Sequence, residues 1–122
     1  TTYDLSDALL AGNLAQSVKI YQYLLAAGEP DSLILWTLSK EMRLLMQLFE
    51  QPHNALQLGI WKTKVSQYQQ TLRRLNAQQF LTWPNLVLRI DASIKGMSKE
   101  NSEHLMLQAV AELCGKSLFQ TH

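Results

Sequence analysis

Asp31-Ser32-Leu33-Ile34-Leu35-Trp36-Thr37-Leu38-Ser39-Lys40-Glu41-Met42-Arg43-Leu44-Leu45-Met46-Gln47-Leu48-Phe49-Glu50 is the stretch whose reading decides the fold class. At about 100° per residue, Ile34, Leu35, Leu38, Met42, Leu45, Met46 and Phe49 gather on one broad arc. Ser39, Lys40, Arg43, Gln47 and Glu50 lie opposite. Proline is tolerated in a first helical turn and acids there favour the positive end of the dipole, so Glu29-Pro30-Asp31 reads as the start. Trp36 breaks the pattern. It falls in the middle of the polar arc beside Lys40 and Arg43, where core packing does not call for it.

The same helical spacing extends outward in both directions, and no segment alternates with period two between hairpin turns. A short helix is predicted from Asp4, as its N-cap, through Leu5, Ala8 and Leu9 to Gly12. Asn13 caps a second, striped by Leu14, Val18, Tyr21 and Leu25 and ending at Ala27-Gly28. Beyond Pro52, one turn is predicted at Ala55 to Leu58. A fourth helix then carries Trp61, Val65, Tyr68, Leu72 and Leu75 in one phase. After Asn76, a fifth carries Phe80, Trp83, Val87, Ile90 and Ile94. Pro84 lies inside that stripe, and because the phase survives across it a kink is expected rather than a loop. Ser98 is predicted to cap a last helix running to Cys114, with Gly115 as its C-terminal glycine and Leu118 and Phe119 folding back onto the bundle. The expected fold is all-α: a compact bundle of five to six helices, adjacent ones packing largely antiparallel because the connections are short.

Composition agrees. The chain has 122 residues, 47% of them hydrophobic, with three Trp, four Tyr and three Phe, enough apolar area for one core across residues 1 to 122. Apolar runs are broken by polar residues well before the roughly 20 residues that a membrane span needs, so no membrane is expected. The lone Cys114 cannot form an internal disulfide and no signal-type leader opens the chain, which fits a reducing cytoplasm. A start at Thr1, without Met and inside a helical pattern, leads us to expect a piece of a longer protein.

Chemistry is harder to find. His53, His104 and His122 have no Cys, His or carboxylate partner at metal-ligand spacing. His104 shares a polar helix face with Glu100, Gln108 and Glu112. Cys114 reads as a small core residue. All five glycines fall at helix ends or turns, leaving none for a phosphate cradle. No catalytic residue, metal or cofactor is therefore expected, nor a small-molecule substrate. Residues 1 to 61 carry three Lys or Arg against six acids, and residues 62 to 122 eight against four. Lys62, Lys64, Arg73, Arg74, Arg89 and Lys95 meet only Asp91 within their stretch: a solvated face, or a weak nucleic-acid contact. Trp36, with Lys40 and Arg43, has the composition of an interface centre, unless a neighbouring segment of the same chain covers it. Tyr23, Trp61 and Trp83 read as core or boundary aromatics.

Taken in order, Asp7-Ala8-Leu9-Leu10-Ala11-Gly12-Asn13, Gly28-Glu29-Pro30 and Leu35-Trp36-Thr37-Leu38-Ser39-Lys40-Glu41-Met42 resemble the C-terminal third of the delta subunit of the bacterial DNA polymerase III clamp loader. Tyr68, Leu72 and Arg73-Arg74-Leu75, then Asp91-Ala92-Ser93-Ile94-Lys95-Gly96, then Ala111-Glu112-Leu113-Cys114 keep that family's order. The resemblance covers nearly the whole chain. It implies a non-catalytic helical collar domain that packs with the equivalent domains of the gamma or tau and delta-prime subunits. The family's clamp-opening parts and its AAA-like fold precede this domain, and delta itself does not hydrolyse ATP. DNA is then met only through the whole complex. Some relatives place a stacking aromatic in the connection that here reads Lys95 to Ser98; this chain offers Met97 and Ser98 instead, which speaks against strand separation here. A helical nucleic-acid-binding module using the six basic residues is the competing expectation.

Overall fold

The computed structural model describes residues 1–116; Leu118, Phe119 and His122 lie outside the described residues. The described residues form six α-helices: α1 (Thr2–Leu10), α2 (Leu14–Ala26), α3 (Asp31–Glu50), α4 (Val65–Arg73), α5 (Ala77–Ile94) and α6 (Ser102–Leu113). A single 3-10 turn, Lys62–Lys64, leads into α4. No strand occurs among the described residues, and the helices form a compact all-α bundle.

Local chemistry explains where the helices begin. The Thr1 hydroxyl accepts from the Asp4 amide, and the Asp4 carboxylate turns back to the Thr1 amino group at 2.7 Å. Thr1, not Asp4, is thus the N-cap of α1, in a reciprocal capping box. Asn13 caps α2 by accepting from the Gln16 amide at 3.1 Å. Asn76 and Gln79 form a second box at the head of α5. The last helix starts later than the sequence predicts. Asn101 accepts from the His104 amide, whereas the Ser98 hydroxyl accepts from the Glu100 amide within the preceding loop. α5 runs unbroken through Pro84, so this segment is one helix rather than two.

α3 is the hub. It packs against α1 and α4 on one flank, against α5 on the other, and against α6. Chain neighbours do not always pair: α2 lies on α1 and α6, and α4 on α1 and α3. Burial of Leu5, Leu9, Ile34, Leu38, Leu45, Leu48, Ile90, Met106 and Leu113 joins four of the helices, α1, α3, α5 and α6, in one core. Each such side chain contributes on the order of 1.5–3 kcal/mol. Trp83 is fully buried, donates its indole N–H to Glu112 at 3.0 Å, and meets Phe80 edge-on with ring centroids 5.0 Å apart. Cys114 is buried with its sulfur 3.5 Å from the Ser17 hydroxyl, and burial pushes its thiol pKa up.

Trp61 is where the aromatic expectation fails most. The chain approaches α4 through an extended residue and the 3-10 turn, so Ile60 goes into the core and Trp61 points out, 73% exposed. Tyr23 is likewise exposed on α2.

Candidate functional site

Along the outer side of α3 runs a ridge made of Trp36, Lys40 and Arg43. These positions recur at spacings of four and three residues, so one stripe of the helix presents them together. Trp36 is 59% exposed, and no neighbouring helix covers it among the described residues. The Lys40 ammonium sits 5.2 Å from the centre of its ring, a cation–π geometry that holds the indole against the ridge. Arg43 is exposed, and no described carboxylate pairs with it.

Hollows open on both sides of α3 at the Arg43 end of the ridge. The first, of about 370 Å³, opens between α1, α3, α4 and the 58–61 loop, with Tyr3 and Trp61 among its lining residues. The second, also about 370 Å³, lies between α3 and α5 and is lined by Met42, Met46, Pro84, Val87 and Leu88 together with the edge of Trp83. Arg43 lines both.

Glu41, in the wall of the first hollow, is a residue that the sequence reading passes over. It is 1% exposed and accepts a hydrogen bond from the Tyr68 hydroxyl at 2.6 Å; its second oxygen lies 3.6 Å from the Lys40 ammonium. Burial, and the carboxylate that holds its proton, push the Tyr68 pKa above the ordinary tyrosine range. The signal was present: Glu41 stands seven residues after Ile34 and four before Leu45, inside the apolar arc and not on the polar one.

The six basic residues of the second half do not converge. Lys64 pairs with Asp7 at 2.6 Å, Lys95 with Asp91 at 2.8 Å, and Arg89 with Glu100 through two guanidinium nitrogens. Arg74 donates to the Leu10 carbonyl at 2.7 Å, capping the C-terminal end of α1. Lys62 and Arg73 are exposed at the two ends of α4. Arg74 and Lys95 flank opposite ends of α5, an 18-residue helix about 27 Å long. Met97 is exposed in the loop after α5. Among the described residues no group of three or more His, Cys, Asp or Glu gathers to hold a metal, and no helix is long and apolar enough to cross a membrane.

Comparison with known families says in what kind of protein this arrangement occurs. The family model described as DNA polymerase III delta subunit, C-terminal domain, matches residues 1–110. The chain belongs to that family. No curated protein matches it significantly. The match takes in the whole α3 ridge, both hollows and most of α6.

Proposed function

We propose that this delta C-terminal domain is a non-catalytic assembly element, the collar of a cytoplasmic bacterial clamp loader. Its 122 residues act as one unit at the C-terminal end of a longer delta chain. It packs against the equivalent domains of the gamma or tau and delta-prime subunits, and it meets DNA only as part of the complex that loads the sliding clamp. Trp36, Lys40 and Arg43 make the contact with a neighbouring subunit.

One observation carries this reading: a tryptophan is held out of the core on the helix that organises the core, on one stripe with an arginine that lines two hollows and has no carboxylate partner among the described residues. Leaving about half of an indole in water forgoes roughly 1–2 kcal/mol of burial, a cost that a partner surface would offset. Tryptophan and arginine are also the residues that most often dominate interface energies.

The test is Trp36→Ala. The variant should keep the melting temperature of the domain within a few degrees and lose on the order of 2 kcal/mol, about thirtyfold, in affinity for the other loader subunits. Unchanged assembly, or a domain that unfolds readily, overturns the assignment of the ridge.

A further inference from the structure

Resting on the reading of the ridge as a subunit contact, we infer that its partner is a helix crossing α3 over Arg43, with a carboxylate set between two apolar anchors, one for each hollow. The charges lead to the carboxylate. Around the first hollow, Glu41 is taken up internally by Tyr68 and Lys40, and Lys64 is taken up by Asp7. Among the described residues Arg43 is left as the unmatched charge, at the wall that the two hollows share. A guanidinium there accepts a carboxylate in a two-point geometry, and the pair strengthens as the surrounding surface is dried.

The flanks lead to the anchors. The second hollow offers Met42, Met46, Pro84 and Leu88 with no charged residue besides Arg43, and Leu88 is 67% exposed on its rim. Methionines adapt their shape to an inserted side chain. The first hollow presents the exposed faces of Tyr3 and Trp61. Because the hollows lie on opposite sides of one helix, their occupants stand about 10–12 Å apart, the width of a helix with its side chains. An α-helix supplies two anchors at that separation from positions i and i+7, roughly 10.5 Å along its axis. Its residue at i+3 or i+4 then falls on the same face, over Arg43. The partner surface is therefore an apolar, acidic, apolar stripe on a helix, and one subunit fills both hollows.

Reconstitution with the cognate gamma or tau and delta-prime subunits tests this. A photoreactive benzoylphenylalanine placed at Trp61 or at Leu88 should cross-link to the same subunit, within one helix-length segment of it. Arg43→Gln, checked for native helicity by circular dichroism, should weaken assembly about tenfold at low salt and flatten its dependence on salt. Cross-links from the two positions to different subunits, or from only one position, overturn the proposal, as does an Arg43→Gln variant with the wild-type salt dependence. Trp36→Ala, run alongside, separates the two levels: if it assembles normally, the ridge itself is not the contact. If it is impaired while the cross-links diverge, the ridge stands and the single crossing helix falls.

Discussion

Replacing Tyr68 by Phe removes one oxygen from the interior and leaves the ring where it is. In the native fold that oxygen donates at 2.6 Å to a carboxylate that is 1% exposed, so its loss strips Glu41 of its one described hydrogen bond without letting water replace it. Hydrogen bonds to charged groups contribute about 1.5–3 kcal/mol, and an abandoned buried acceptor costs at the upper end of that range. For a domain of this size, each kcal/mol moves the melting temperature by about 4 °C, so Tyr68→Phe should lower it by roughly 6–12 °C. Glu41→Leu should cost a similar amount by orphaning the Tyr68 hydroxyl. The double variant, which puts two apolar groups in place of the pair, should recover much of the loss, giving a coupling of at least about 1 kcal/mol in urea denaturation followed by circular dichroism. Tyr68→Phe within about 0.5 kcal/mol of the wild type, or strictly additive effects in the double variant, would refute the reasoning, because the pair would then be solvated in practice.

The same tyrosine and Tyr21 make alkaline stability predictable. Burial, foremost, together with Glu41 beside Tyr68 and with Glu103 and Asp31 near Tyr21, raises both pKa values in the folded state. Their contribution is complete below the ordinary tyrosine pKa of about 10 and is lost as pH rises above it, because the unfolded chain then releases protons that the folded one retains. The unfolding free energy from urea denaturation should fall steeply above about pH 10, by up to roughly 1.4 kcal/mol per pH unit for each tyrosine, and Tyr68→Phe should make that fall shallower. Gly115→Ala should destabilise the domain more than Gly28→Ala does. Both glycines have positive φ, but a methyl group at Gly115 would come within 2.9 Å of Arg74, whereas none of its neighbours approaches at Gly28. The backbone strain common to both is about 1–2 kcal/mol, and equal thermal shifts for the two variants would dismiss the Arg74 contact.

Much of this architecture is legible in order along the chain. The Asn13 cap announces itself because its chemistry is local, a side-chain oxygen meeting an amide three residues on. The family anchors are legible for the same reason, and so is the ridge, since Trp36, Lys40 and Arg43 need only helical geometry to share a stripe. Errors arise where one rule is extended past its range. Trp61 continues the apolar phase of Val65 and Tyr68 on paper, yet the helix does not begin until Val65, so its angle on that wheel has no meaning. Ser98 is as good an N-cap residue as Asn101, but its hydroxyl is engaged by the Glu100 amide inside the loop, and Asn101 caps the helix. The fate of the cations depends on contacts across 57 residues for Lys64 and 64 for Arg74, which no local pattern contains. The hollows are products of tertiary packing, and neither has a sequence signature.

Arg74 deserves a kinetic consequence. Its guanidinium holds the carbonyl that ends α1, its stem lies against Gly115 just past α6, and a methyl group on Gly12 would strike its head group. One side chain at the end of α4 thus knots together segments that are 64 and 41 residues away in the chain. A contact closing two such long loops is expected to form only after the helices it joins have docked, and so to be absent from the folding barrier and present in the native basin. Such a contact should act as a latch, leaving the speed of folding alone and slowing opening, so that the segments that follow α1 and α6 stay together longer at the end of α4.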